Sequence, residues 1–213
     1  MPDELRNLNL SSTAVSPTAG HPAPPFSLLS IQGQTVQLAQ YAGRRVVLWF
    51  SRGFTCPFCR SHMDLISDGY AQLAAQNVEV IQVAPNLHHS AITFFGDTLP
   101  PYPFVCDPDK RLFATYGIGD QGVIAATRNT VVAFATAAQR GEFAKTTRAS
   151  ALDVVNRNFL RRLHHHALTA LNQAVFLIDR QQIIRHRLEV GALETIPAVP
   201  ALLQLLDDTA VSA

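Results

Sequence analysis

Two apolar runs separated by the length of a helix constrain this chain more than any other feature. Arg45-Val46-Val47-Leu48-Trp49-Phe50 and Val78–Ala84 are short and nearly continuous in apolar residues, which suits strands buried on both faces. Between them, after Gly53, the spacing turns helical: Phe58, His62, Leu65, Gly69, Tyr70 and Leu73 fall on one side of a helix. Strand, helix, strand in that order implies parallel strands joined by a right-handed crossover. The 213 residues are enough for one α/β domain with an elaboration or a tail, and a hydrophobic fraction of 47% can fill its core.

The flanking segments extend this plan. Residues 1–25 are rich in Ser, Thr, Ala and Pro without periodicity, and most of them read as a mobile leader. Phe26–Ile31 begins the first extended segment, with Gly33 turning the chain before Val36 and Leu38. His88–Gly96 reads as a helix, Pro100–Pro103 as a stiff connection and Phe104–Cys106 as a short strand. Asp107-Pro108-Asp109 is turn chemistry ahead of a short helix at Lys110–Tyr116. From Gly119 to Asn172 no clear strand stands out; Leu152, Val155, Phe159, Leu163, Ala167 and Leu171 recur at helical steps, and residues 123–139 are a weaker helix candidate. Phe176–Ile178 and Ile183–Leu188 then read as a hairpin turned by Arg180-Gln181-Gln182, and Ile196–Leu206 as a closing helix broken or begun by Pro197 and Pro200.

The chemistry is concentrated at Cys56-Pro57-Phe58-Cys59, directly after the first buried strand. Pro57 is favoured at the first helical position, because the N–H it lacks would have no partner there. That register makes Cys56 the N-cap and Cys59 the third helical residue, two positions whose side chains can approach each other. Both thiols then lie near the positive end of the helix dipole, which favours the nucleophilic thiolate. Arg52 and Arg60 flank the pair in sequence and would add positive potential, and Arg52 is, with Thr55, a candidate substrate-binding residue. The ring a disulfide would close here is too short to stabilise much through loop entropy, so such a bond would be a working one. Zinc would call for a second ligand pair, which the sequence does not offer, and two buried core cysteines are the bland alternative.

Other segments resemble the alkyl hydroperoxide reductase/thiol-specific antioxidant (peroxiredoxin) family. Gly20-His21-Pro22-Ala23-Pro24-Pro25-Phe26-Ser27-Leu28 is similar to that family's G-x-P-A-P-x-F-x-L opening, and Gly43–Leu48 to its first central strand. Phe104–Asp109 with Ala114, Tyr116 and Gly117 is similar to its F-x-x-D-P-D and A-Y-G segments, and Val175–Asp179 to its F-x-I-D strand. The resemblance covers about residues 20–118 and 173–206. It implies an α/β thioredoxin-like fold, a central mixed sheet flanked by helices, with extra strands at the N-terminus and a helical insertion. The division expected is a leader over 1–19 and one domain over 20–213, with the insertion at about 119–172.

The resemblance also assigns roles. The family's peroxide-attacking cysteine falls on Cys59, and the threonine three residues before it falls on Cys56. Gln173 stands about where the family has an arginine, and Thr55 is placed to substitute in part for the missing hydroxyl. Peroxide would turn Cys59 into a sulfenic acid, and Cys56 would condense with it. Thioredoxin-like disulfide reductases offer a second comparison, in which Cys56 attacks and Cys59 releases the substrate. Those proteins usually place a cis-proline just before the strand at Ala174–Asp179, where this chain has Gln173. A redox-sensing binding module is the non-enzyme alternative.

In either enzyme reading no cofactor is bound, and an external thiol of the thioredoxin, glutaredoxin or glutathione type regenerates the dithiol. The partners expected are a peroxide or disulfide substrate, that thiol donor and a second copy in a homodimer. A net charge of +1 gives no bias toward nucleic acid or membrane. No apolar run approaches the roughly 20 residues that cross a bilayer, and Met1–Leu5 does not resemble a secretory signal, so the cytoplasm is the expected location. Cys106 reads as a structural cysteine. His164-His165-His166 cannot close on one ion from consecutive helical positions about 100° apart. The basic excess from Arg140 to His166 reads as a solvated helix face.

Overall fold

β3 spans Arg45–Phe50 and β4 spans Val78–Ala84, both at the bounds expected from the two apolar runs, and they pair in parallel from Arg45↔Val78 to Phe50↔Val83. The computed structural model describes residues 16–54, 57–119, 172–190 and 195–208. Thr55, Cys56, nearly all of the expected leader and insertion, and the His164–His166 run lie outside the described residues.

Ahead of β3, Ser27–Leu29 (β1) and Thr35–Gln37 (β2) form a small antiparallel pair around Gly33, whose φ of +81° suits glycine alone. β3 leads into α1 (Pro57–Ala75), then β4, α2 (His88–Phe95), β5 (Phe104–Cys106) and α3 (Arg111–Thr115). β6 (Gln173–Ile178) and β7 (Ile184–Val190) form the expected hairpin, and α4 (Val199–Asp208) closes the described chain. The main sheet has the order β5-β4-β3-β6-β7, parallel from β5 to β3 and antiparallel from β3 to β7. This is the mixed thioredoxin-like sheet expected from the sequence, with β1 and β2 as the extra strands in front. Among the described residues, no helix is long and apolar enough to cross a membrane.

Alternation along β3 divides the core in two. Val47 and Trp49 face one layer with Ile66, Leu73, Val175 and Leu202, whereas Val46, Leu48 and Phe50 face the other with Phe113, Tyr116 and Phe176. In the second layer Phe50 meets Phe113, Tyr116 and Phe176 with ring centroids 5.0–5.7 Å apart, mostly tilted or edge-on as aromatic quadrupoles prefer. Local polar contacts fix the turns. The Asp107 carboxylate accepts the N–H groups of Arg111, Leu112 and Phe113 at 2.8–3.1 Å, satisfying the first turn of α3. In the β6–β7 turn, Asp179 accepts the N–H groups of Gln181 and Ile183 and takes Arg185 at 2.6 Å.

Two details differ from the sequence reading. The buried face of α1 carries Cys59, His62, Met63, Ile66 and Leu73, while Leu65 is 40% exposed. The helix is therefore rotated relative to the expected stripe, because Met63 and Ile66 outweigh Leu65 in filling the layer beneath Trp49. The last helix begins at Val199 rather than Ile196, clear of Pro197.

Gly69 explains how α4 packs on α1. A Cβ built there would lie 2.5 Å from Cγ2 of Val199, so the two helices touch where no side chain intervenes. Gly69→Ala gains helix propensity of about 1 kcal/mol but overpacks this contact, so we expect a net loss of about 1 kcal/mol. In a Val199→Ala background the same change should become stabilising. Equal effects in both backgrounds, measured by denaturant unfolding, would refute the contact as the reason for the glycine.

Candidate active site

The site forms at the carboxyl ends of β3 and β4, where open α/β sheets present their loops. Ser51 continues the ladder, its N–H donating to Val83 O at 2.9 Å. Its hydroxyl accepts Nε2 of Gln82 at 2.8 Å and the N–H of Gly53 at 3.3 Å. Tyr102 Oη in turn donates to Oε1 of Gln82 at 3.3 Å. This buried network holds the end of β3 to β4. Gly53 has φ +94°, and a Cβ there would fall 2.1 Å from Oδ1 of Asn86. The same Asn86 oxygen accepts the N–H of Phe54 at 3.4 Å. Phe54 then stacks on Phe94 of α2, centroids 4.5 Å apart. The loop that delivers α1 is thus fixed by a glycine, an amide and an aromatic contact.

α1 begins at Pro57, as its place after the N-cap position predicts, so Cys59 is the third helical residue. Its side chain has no exposed surface. The antiparallel register of β3 with β6 pairs Phe50 with Ala174 and carries Gln173 one step past the end of β3. Gln173 therefore arrives beside the first turn of α1, and Cys59 Sγ donates to its Oε1 at 3.5 Å. The position expected to take the place of the family's arginine does meet the thiol, and it brings a neutral amide. No peptide bond among the described residues is cis, so the proline geometry of the disulfide reductases is absent from Gln173.

One turn after Cys59, His62 is 4% exposed, hydrogen-bonded to Gln173 and tilted against Trp49 at 6.3 Å. Burial drives its pKa down to about 4; the Gln173 hydrogen bond opposes this and the Arg52 charge adds to it. The imidazole is neutral at physiological pH, and its Nδ1 is buried without a hydrogen-bond partner among the described residues. Arg52, on the loop after β3, is half-buried, and its Nε and Nη2 are likewise buried and unpartnered. Of the sequence-derived site residues, Cys59 and Arg52 are thus brought to one region around His62 and Gln173, while Thr55 and Cys56 lie outside the described residues. The contact of His62 with Gln173 is not anticipated by the sequence reading; its signal is a histidine one helical turn from Cys59. The Ser51–Gln82–Tyr102 network was also missed, although Gln82 inside the otherwise apolar end of β4 marked it.

Cys106 lies away from this cluster, on the short strand β5. Burial pushes its thiol up to about 12, so it stays protonated and packs as a small apolar residue. No group of three or more His, Cys, Asp or Glu side chains among the described residues is arranged to hold a metal ion.

Comparison with known proteins bears on these features. A family model described as AhpC/TSA matches residues 19–137. A Mycobacterium tuberculosis protein provisionally named a peroxiredoxin is 28% identical over 100 residues, covering 47% of this chain and 64% of the relative. The thiol-disulfide oxidoreductase ResA of Halalkalibacterium halodurans is 31% identical over 101 residues, covering 47% and 57%. The chain therefore spans less than two thirds of the length of these relatives. Among solved structures, the reduced 2-Cys peroxiredoxin of Plasmodium vivax matches with a TM-score of 0.62 and 14% identity, over 91% of this chain and 82% of that one. At that identity the match speaks for the fold, which is the one described above.

The depressed pKa of His62 has a consequence for stability. Its folded value of about 4 lies below the ordinary 6.5, so the unfolded chain binds the proton more readily. The stabilisation is complete above pH 6.5 and is lost as pH falls toward 4, amounting to about 3 kcal/mol for a shift of this size. Denaturant titrations across that window should show the decline, and His62→Phe should flatten it. An unchanged slope in the variant would place the acid sensitivity elsewhere.

Proposed function

The chain belongs to the AhpC/TSA family, and from that membership we propose that it is a thiol peroxidase whose attacking residue is Cys59. The observation that carries this reading is that two Arg52 nitrogens, Nε and Nη2, are held out of water with no hydrogen-bond partner among the described residues. A buried donor without a partner costs about 1–3 kcal/mol, and a peroxide oxygen arriving beside Cys59 and His62 would satisfy it. Arg52 thereby supplies, from the β3–α1 loop, the cation that β6 lacks at Gln173. The Thr55 hydroxyl is assigned the second contact to the substrate.

In the cycle, Cys59 thiolate attacks the peroxide, an S–O bond forms and the O–O bond breaks. Sulfur is oxidised to sulfenic acid, and the displaced oxygen takes a proton and leaves as water or an alcohol. Cys56 then condenses with the sulfenic acid, releasing water and forming the Cys56–Cys59 disulfide. A thiol donor of the thioredoxin, glutaredoxin or glutathione type reduces that disulfide by exchange, and no bound cofactor takes part. Such a cycle suits a reducing compartment such as the cytoplasm, with a homodimer as the working assembly.

The complete burial of Cys59 favours a second reading, in which Cys56 attacks a substrate disulfide and Cys59 only releases it. The relative named as a thiol-disulfide oxidoreductase is in keeping with that chemistry.

Peroxide consumption and insulin disulfide reduction, each with a thiol donor present, separate the two. We expect peroxide loss that Cys59→Ser reduces at least a hundredfold, and a sulfenic-acid probe that labels Cys59 in a Cys56→Ser variant. Insulin reduction without peroxide loss, together with labelling of Cys56 alone in Cys59→Ser, would replace the first reading with the second.

A further inference from the structure

Gln173 is 1% exposed, and its amide is shared between Sγ of Cys59, which donates to Oε1 at 3.5 Å, and the side chain of His62. A permanent cation in this place would favour one state of the sulfur only, the thiolate. A carboxamide behaves differently. It carries an acceptor and a two-proton donor in one plane, on opposite sides of its last C–C bond, and a half-turn about that bond exchanges them. With oxygen toward sulfur it accepts from the thiol; with nitrogen toward sulfur it donates to the thiolate.

The half-turn also reverses what the amide shows to His62, so it is cheap only if the imidazole can follow. A neutral imidazole can, since either nitrogen can carry the proton while the other accepts. His62 is neutral, and its Nδ1 has no partner among the described residues. Moving the proton between Nδ1 and Nε2 therefore breaks no other hydrogen bond of the ring. Among the described residues, the charge that acts on His62 is that of Arg52 on the loop after β3. Trp49 from β3 and Gln173 from β6 are neutral.

We propose that Gln173 is a catalytic residue that serves the thiol, the thiolate and the sulfenic acid of Cys59 in turn by rotating its amide, and that His62 is the positioning residue that follows it by exchanging tautomer. This rests on the reading of Cys59 as the redox thiol. The pair takes up no net proton and no electron. The proton leaving Cys59 ends on the displaced peroxide oxygen, which needs it to depart as water or alcohol. The sulfenic acid, being both donor and acceptor, is met by either face of the amide.

The test uses the full chain with Cys56→Ser and Cys106→Ser, leaving Cys59 as the sole cysteine, and needs no peroxide. Thiolate absorbance gives the ionisation midpoint of Cys59, and nitrogen resonances of ¹⁵N-labelled histidine report the His62 tautomer. We expect His62 to exchange tautomer across the Cys59 midpoint, and to show no such change when Cys59 is also replaced by serine. Gln173→Met, of similar length but without donor or acceptor, should raise the midpoint by about one pH unit, the loss of a hydrogen bond to a charged group outweighing that of one to the thiol. Gln173→Arg should lower it. A single His62 tautomer on both sides of the midpoint overturns the proposal, as does an unmoved midpoint in Gln173→Met. Should Gln173→Met fail to fold, the tautomer readout in the parent protein decides alone. Tautomer exchange in a protein that consumes no peroxide would instead sink the peroxidase reading and leave the Gln173–His62 pair standing.

Discussion

The register between β3 and β6 is the constraint on which the rest of the structure depends. Phe50 opposite Ala174 closes the centre of the sheet, buries both strands on both faces and fixes where Gln173 emerges. A slip by one residue would turn every side chain of β6 to the other layer and take Gln173 away from Cys59. The same register sets Phe176 against Phe50 and Tyr116, so the aromatic layer and the thiol site stand or fall together. Packing on one side of the sheet thus guarantees geometry at its end.

Polar groups are spent unusually around the thiol. Among the described residues, Trp49 Nε1, His62 Nδ1 and two nitrogens of Arg52 are buried without partners near Cys59, and Arg44 Nε, Arg45 Nε and His186 Nε2 are so elsewhere, whereas Asp107, Asp179 and Glu79 are hydrogen-bonded. Unpartnered buried donors lower stability, and four of the seven such nitrogens lie near Cys59. The apolar layers beneath, from Val47 through Leu202, are what allow the fold to carry that load.

Much of this was legible from residue order. The strands of the sheet follow from β-branched and aromatic runs whose ends coincide with Gly, Pro and Asp, and α1 starts where Pro57 says it should. The face of α1 was harder, since Leu65 and Ile66 are equally apolar and neighbours on the helix. Only the bulk of Trp49 beneath, and the close approach of α4 at Gly69, select Ile66. At the site, Cys59, Arg52 and the position of Gln173 could be named from sequence. The partnership of Gln173 with His62 could not, because it depends on the register of β3 with β6, which pairs residues as distant in sequence as Phe50 and Ala174.

That distance has a consequence in time as well as space. Cys59 and its acceptor are separated by 114 positions, and a ribosome adding about 5–20 residues per second needs on the order of ten seconds to cross the gap. Throughout that interval β3 has an open edge where β6 belongs, and the thiol has no Gln173 to meet. The nascent chain thus carries the Cys59 thiol well before the strand that brings its acceptor. The site is completed only when the β6–β7 hairpin docks on the open edge of β3.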